Sequence, residues 1–507
     1  MINRRHFILS SSGLLVASKL STAWGQEVIR DPFTLGVASG VPRPDSVLLW
    51  TRLAPEPFAG GGMPQADVQV RVRLASDENL RDTVIDQLVT APLEDGHSIH
   101  FRANGLEPGR EYWYQFEFGE FASPVGRTKT AATGRLDEFR LAFASCQALE
   151  TGYYAAYRDM AEARPDLIIH LGDYIYEGGP RDESRGPVRQ HLGAEIRTLW
   201  DYRNRHAQYR SDPHLQAAHA AAPWMMAPDD HEIDNNWAGY VPEDPEEQTE
   251  LEFRVRRWAA LKAYYEHMPI ENRPQLSELD SSLQIYTSLE FGDIAKVVLL
   301  DTRQYRADQP CDQDFPSADD CSARYSNDIS FTGRDQERWL FGELGNSEKH
   351  WNFMAQQTWF SQFRYLDNRY NMDQWDGYPA QRQQVIQRLA DPNLSNPVVL
   401  SGDWHCGCAM NVMEDFGSAV APKVAAELAG TSISSMCPWA GAVEESIPEN
   451  PHVQYFSGDR RGYVLCDMNR ERLLAQYRLV EDARDPDSVV QVDVEMVVES
   501  GQRGFAA

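Results

Sequence analysis

Apolar and polar positions change their period once along the chain. Within residues 33–129 the segments SVLLWTRL (46–53), VQVRVRLA (68–75), HSIHFRANGL (97–106) and EYWYQFEF (111–118) alternate or run apolar between Gly, Pro and Asp turns. That is the pattern of short strands in a small all-β sandwich. A polar stretch without periodicity, RTKTAATGRLDE (127–138), follows as a linker. Beyond it, apolar runs alternate with helical patterns. FRLAFASC (139–146) precedes the helical YYAAYRDMAEA (153–163), and PDLIIHLGD (165–173) precedes a loop and a long helical stretch over 195–221. APWMMAPDDHE (222–232) is a short strand running into a loop, 249–268 is a helix, and AKVVLLDTRQYR, HWNFMAQQTWF and NPVVLSGDWH each hold a buried strand. This alternation predicts an α/β core of packed sheets with helices outside. No internal repeat is visible.

Composition narrows the reading. At 507 residues the chain has room for a large core and more than one domain. A formal net charge of -28 argues against general nucleic-acid binding, which needs a basic surface, and against adsorption to anionic membranes. In NRRHFILSSSGLLVASKLSTAWGQE, Arg4 and Arg5 precede an apolar stretch too short and too Ser-rich to span a bilayer, and AWG offers a cleavage site before Gln26. Residues 1–25 resemble a twin-arginine export signal, which implies the twin-arginine machinery as a partner and a periplasmic or secreted product. No other segment is long and apolar enough to cross a membrane. The chain has seven cysteines. Cys311 and Cys321 share one polar loop and are expected to pair as a local disulfide. Cys406 and Cys408 flank a glycine without an evident partner, Cys437 and Cys466 read as core residues, and Cys146 ends an apolar strand.

What stands at the strand ends carries the chemistry. Cys146 follows LAFAS. Asp173 follows LIIHLG, with Tyr176 just beyond. Asp229, Asp230, His231 and Glu232 follow WMMAP, trailed by Asp234, Asn235 and Asn236. Asp301 follows VVLL, and Asp403 and His405 follow VVLSG. Open α/β sheets bind ligands outside the carboxyl ends of their strands. Taken singly, each piece has a bland reading: a Gly-Asp turn, a hydrogen-bonded Asp-x-His pair, a solvated acidic loop, a buried thiol. Carboxylates, imidazoles, a thiol and a phenol converging on one rim need cations to neutralise them.

GDYIY (172–176), DDHE (229–232) and GDWH (402–405) resemble the motifs of binuclear metallophosphoesterases. Cys146 in the first position, Asp230 in place of Asn and Asp403 in place of His are similar to the PhoD-like alkaline phosphatase/phosphodiesterase family. So are DDHEIDNNW, LLDTRQYRADQPC, DQERWL, WDGYPAQR, ELAGTSISS and the late RGYV. Pro228 and the bulky Trp404 depart from the family pattern. LEPGREYWYQF (106–116) resembles the Leu-x-Pro-x-x-x-Tyr corner of fibronectin type III sandwiches. The resemblance implies a metallophosphoesterase-type two-sheet sandwich flanked by helices over 138–490, preceded by the β-sandwich at 33–129.

It also implies one Fe³⁺ and one or two Ca²⁺. Asp173 would bridge the ions, and Cys146, Tyr176 and His405 would hold iron. Asp230 and Asp403 would hold the second ion, with Asn235 either joining them or orienting substrate. The ligand chemistry agrees: thiolate and phenolate suit Fe³⁺, and all-oxygen donors suit Ca²⁺. The implied reaction is in-line phosphoester hydrolysis by a metal-activated hydroxide, on monoesters and diesters. His231 is the candidate acid. Arg303 is the candidate phosphate clamp, against the plainer reading of a structural ion pair. Tyr202, Tyr209 and Arg210 are further candidates for the cleft wall. The competing readings are a specialised phosphodiesterase or phospholipase D-like enzyme on the same scaffold, and a secreted binding protein with a degenerate site. The complete ligand set weighs against the latter.

Overall fold

A computed structural model describes residues 30–506 apart from 276, 278, 279, 312, 313 and 419. The export-signal expectation for 1–25, with Arg4 and Arg5, lies outside the described residues. A nine-stranded sheet runs from edge to edge as Val490–Glu499, Arg472–Val480, Gly462–Asn469, Glu138–Ala144, Leu167–His170, Pro223–Met226, Val37–Arg43, Ser46–Arg52 and Ser98–Asn104. A seven-stranded sheet has the order Thr287–Phe291, Ala295–Leu299, Trp351–Ala355, Pro397–Ser401, Lys423–Ala429, Gly407–Met413 and Val453–Ser457.

The centre of each sheet is parallel. Parallel strands covered on both faces read as unbroken apolar runs, and LIIH, PWMM, AKVVL and PVVLS are buried along their whole length. Alternate side chains of the seven-stranded sheet serve two cores. Val297, Phe353, Val398 and Leu400 join Leu141, Phe143 and Leu465 of the nine-stranded sheet in one core between the layers. Val298, Met354 and Val399 face the other way, toward Leu340, Leu344, Val385 and Ile386 of helices Arg334–Gly345 and Pro379–Leu389.

The helical pattern over 195–221 resolves into two helices, Leu199–Arg210 and Pro213–Ala221. Asp212 accepts the backbone N–H groups of His214 and Leu215 at 2.9 and 3.1 Å, and Pro213, with no N–H to leave unpaired, opens the second helix. Among the described residues no helix is long and apolar enough to cross a membrane.

The N-terminal strands form a second sandwich that borrows half of its structure. A five-stranded sheet of Thr83–Ala91, Val68–Ala75, Glu111–Phe118, Phe121–Ala122 and Gly126–Lys129 supplies Val70, Val72, Leu74, Tyr114 and Phe116 to a core. Val37, Val47, Leu49 and Ile99 complete that core from strands of the nine-stranded sheet. Ser39 and Gly40 pair in parallel with Pro223 and Trp224, so the sandwich and the larger layer share a continuous sheet. At the Leu106–Tyr112 corner the Glu107 N–H donates to Tyr112 Oη at 2.9 Å. Thr83–Ala91, which the apolar pattern did not announce, is an edge strand with most of its side chains exposed.

Candidate metal centre

The parallel strands of both sheets release their chains onto one rim. Directly beyond them, Cys146, Asp173, Asp403 and His405 adopt positive φ angles of 59°, 56°, 64° and 57°. Non-glycine residues stay in that region only where their surroundings hold them. Gly172 has φ 105°, and a Cβ there would stand 2.3 Å from the Cβ of Asp229, so only glycine lets these two strand ends meet. Glu232 ties the same junction: its carboxylate accepts the backbone N–H groups of Asp173 at 3.1 Å, Tyr174 at 2.5 Å and Asp229 at 2.7 Å. An isolated parallel bridge between Ser145 and Ser432 joins the two sheets at this rim.

Two groups of ligand atoms result. Cys146 Sγ, an Asp173 oxygen and a His405 ring nitrogen lie within 4.8 Å of one another. Tyr176 Oη reaches this group, 2.8 Å from Asp173 Oδ2 and 3.1 Å from His405 Nε2, and is held by Ser435 Oγ at 2.7 Å. His405 Nδ1 donates to the Met436 carbonyl at 2.7 Å, which leaves Nε2 as the ligating nitrogen. The second group is Asp229, Asp230 and Asp403, also within 4.8 Å of one another. Asp173 and Asp230 connect the two, because both also cluster with His231.

The electrostatics call for cations. Cys146, Asp173, Asp229 and Asp230 are buried. Burial is the largest cause holding the Asp173 carboxyl up to about 7, with Asp230 adding to it against His231. Burial likewise pushes Asp229 up, opposed by Arg303, and pushes Asp403 up with Asp229 and Asp230 behind it. The Cys146 thiol and Tyr176 phenol are pushed up by burial and then by Asp173. Among the described residues Asp173 Oδ1, Asp229 Oδ2 and Asp230 Oδ1 are buried without a hydrogen-bond partner. Buried acids that resist ionising together, with lone pairs that meet no donor, fit positive ions.

A cavity of about 720 Å³ opens over the centre, lined among others by Tyr176, Glu177, His231, His405, Met436 and Trp439. His231 Nδ1 is 2.7 Å from Glu177 Oε2, and its ring lies 4.2 Å from that of Tyr176. Glu177 also accepts the Asn235 N–H at 3.0 Å, while the Asn235 amide donates to Glu243. Glu232 and Ser435 sit in the motifs DDHE and ELAGTSISS, and Glu177 directly follows GDYIY. Which neighbour each one holds follows only from the folded chain.

Two expectations are corrected. Arg303 is not a phosphate clamp. It is fully buried, with Nε 2.5 Å from Asp229 Oδ1 and both Nη atoms 2.8 Å from Asp373, so its donors are already committed. Tyr202, Tyr209 and Arg210 do not line the cavity. All three are buried: Tyr202 Oη donates to the Ile233 carbonyl at 2.7 Å, Tyr209 Oη accepts the Leu149 N–H at 3.2 Å, and Arg210 stacks on Trp50 at 4.4 Å. Cys311 and Cys321 are disulfide-bonded.

The chain was compared with known families and structures. Residues 141–477 match the PhoD-like phosphatase family, and residues 18–132 match the PhoD-like phosphatase N-terminal domain. The chain is 45% identical over 487 residues to alkaline phosphatase D of Bacillus subtilis (strain 168), covering 94% of this chain and 82% of the relative. A solved structure of PhoD superimposes with a TM-score of 0.89 at 43% identity, over 95% of this chain and 93% of that one.

Proposed function

The chain belongs to the PhoD-like phosphatase family and is a phosphoric ester hydrolase of the alkaline phosphatase/phosphodiesterase type, and we propose that its strand-end rim holds a mixed iron–calcium centre. Cys146, Tyr176 and His405 hold the iron in this reading. Asp230 and Asp403, joined by Asp229 and Asn235, offer oxygen to calcium, and Asp173 is shared. What carries the reading is the pair of ligand groups joined through Asp173 and Asp230, with three buried carboxylate oxygens that have no partner. Thiolate and phenolate select a hard trivalent or soft transition ion over Ca²⁺, and the all-oxygen set does the reverse. When bound, the ions supply the hydroxide nucleophile and neutralise charge on the phosphoryl oxygens.

The protein's own contribution is orientation and proton supply. Met436 fixes the His405 tautomer, and Ser435 fixes the Tyr176 hydroxyl. Glu177 occupies His231 Nδ1, so Nε2 is the atom left to protonate a leaving alkoxide in the cavity. Burial works against a charged His231, but Glu177, Asp230 and Asp173 outweigh it and raise its affinity for the proton. Residues 1–25 complete the proposal as a twin-arginine signal, placing the enzyme in the periplasm or outside the cell.

Metal analysis combined with visible absorption tests the centre. Phenolate bound to Fe³⁺ absorbs visible light, so the concentrated protein is coloured and Tyr176→Phe bleaches it. Tyr174→Phe is the control, because the Tyr174 hydroxyl is buried against His219 Nε2 at 2.9 Å. Colour lost in the Tyr174 variant and kept in the Tyr176 variant, or protein without iron, overturns the assignment.

A further inference from the structure

GDWH (402–405) and the later CPWA (437–440) each place a tryptophan beside the centre. Trp404 is the bulky residue of the His405 turn. Trp439 directly precedes helix Ala440–Ser446, and its carbonyl accepts the Val443 N–H at 3.2 Å. The Trp439 indole N–H donates to the Trp404 carbonyl at 3.1 Å, and the two rings lie 5.0 Å apart. Phe315 backs Trp404 at 6.0 Å, and Tyr365 backs Phe315 at 5.4 Å. Trp439 is thus held by both its backbone and its ring. It lines the cavity over the centre together with Met436 and Pro438, and Met436 is 51% exposed there. This part of the wall, next to His405, is apolar and pre-formed, and it holds none of the groups that act on the phosphoryl.

His231 and Trp439 stand at the two ends of one row of contacts. The His231 ring lies 4.2 Å from that of Tyr176, Tyr176 Oη lies 3.1 Å from His405 Nε2, and the His405 ring lies 5.2 Å from that of Trp439. In-line displacement sends the leaving group out opposite the nucleophile, and in the proposed function, on which this placement rests, His231 protonates it. A phosphodiester carries a second ester group, which stays on phosphorus and needs room elsewhere in the cavity. We infer that this retained group lies on Trp439 and Met436, and that the wall selects phosphodiesters whose retained group is aromatic. A planar ring gains by stacking on an indole already held in place, because neither partner has many rotamers to lose. The Met436 thioether adds a polarisable contact to such a ring. A monoester has no second ester group to place there, so one centre serves both classes and the wall discriminates only among diesters.

The test uses the metal-loaded enzyme and two diesters with one leaving group, phenyl p-nitrophenyl phosphate and methyl p-nitrophenyl phosphate. The enzyme is expected to favour the phenyl diester, and Trp439→Ala to lower the ratio of the two kcat/KM values about tenfold. A ratio taken within one preparation does not depend on how much of a variant folds or holds metal. Trp439→Phe, which keeps a ring, retains most of the preference. Met436→Ala, which keeps the carbonyl that holds His405, loses part of it. An unchanged ratio in Trp439→Ala, with rates on both diesters and on p-nitrophenyl phosphate lowered alike, makes Trp439 a structural support of the His405 turn and overturns the inference. A change seen instead between phenyl phosphate and methyl phosphate, with the diester ratio unchanged, puts the leaving group on Trp439 and overturns it too. Enzyme that shows the expected ratio but holds no iron counts against the metal centre and not against the wall.

Discussion

Glu177 and Asp173 show how single side chains set the chemistry. Glu177 belongs to neither the Cys146–Asp173–His405 nor the Asp229–Asp230–Asp403 group, and it accepts from His231 at 2.7 Å, so its charge is the largest of those that hold the proton on the imidazole. Glu177→Gln preserves size and removes the charge. The expected result is a fall in kcat/KM of about 10²-fold on alkyl phosphates, and a much smaller fall on nitrophenyl phosphates, whose leaving group needs no proton. Metal content stays the same. Equal losses on both esters would show that Glu177 is not serving an acid. Asp173 makes a prediction about pH. An ordinary aspartate ionises near ~3.9, and in the metal-free protein burial holds this one up to about 7. Between those values the folded protein keeps a proton that the unfolded chain has lost. The Asp173 contribution to metal-free stability therefore falls as pH rises through that window. Buried neutral histidines such as His170, His191 and His206, held down to about 3, contribute in the opposite sense below about pH 6.5, so the Asp173 share is read against Asp173→Asn. Between about pH 5 and about pH 8 the Tm of chelator-treated wild type should drop by several degrees relative to that variant. A Tm gap between the two that does not change with pH would contradict the placement of Asp173.

At the scale of elements, the strands were legible and the turns were not. LIIH, PWMM, AKVVL and PVVLS announce themselves because a strand covered on both faces has no polar position to interrupt it, and the polar residue that ends each run marks the rim. That Asp173, Tyr176 and His405 meet on one rim came through motif spacing. Their support did not, because Ser435 reaches Tyr176 across 259 positions of sequence. Arg303 was misread for a related reason: nothing local shows that Asp373 will take both of its Nη atoms. Thr83–Ala91 escaped because Val84 and Leu88 place apolar side chains on its exposed face, which hides the alternation of Ile85, Val89 and Ala91 toward the core. The turn after Leu167–His170 gives an element-scale test. Glu232 alone accepts three buried backbone N–H groups there. Glu232→Ala should cost about 3 kcal/mol or more, since each stranded donor carries its own desolvation penalty, and should lower metal content with it. Glu232→Gln, which keeps one acceptor oxygen, should lose less. Denaturant unfolding of the two variants measures the difference, and a wild-type midpoint for the alanine variant would remove Glu232 from this role.

Over the whole molecule, the linker at 127–138 suggests a boundary that the sheet does not respect. Val37–Arg43, Ser46–Arg52 and Ser98–Asn104 continue the nine-stranded sheet past Pro223–Met226. The junction is also tied by buried polar contacts to helix Glu250–His267 and its end. Arg52 Nη1 lies 2.8 Å from His267 Nε2, the Trp50 indole donates to the Glu266 carbonyl at 3.2 Å, and Lys262 pairs with Asp95. The His100 ring stacks on Tyr265 at 4.2 Å, and Arg127 donates to the Ala221 carbonyl at 2.6 Å. Removing residues 30–132 would strip the partner from a parallel strand, expose an unpaired apolar edge, and take Arg52 from His267 Nε2 and Asp95 from Lys262. An exposed apolar edge strand is a template for aggregation, and a buried polar group without a partner costs about 1–3 kcal/mol. The fragment 133–507 is therefore expected to be insoluble or to bind little metal. The intact chain should unfold in a single calorimetric transition, because no interface between its two parts is free to open first. Two resolved transitions in the full-length protein, or a soluble fragment with full metal content, would show that the shared sheet does not couple them.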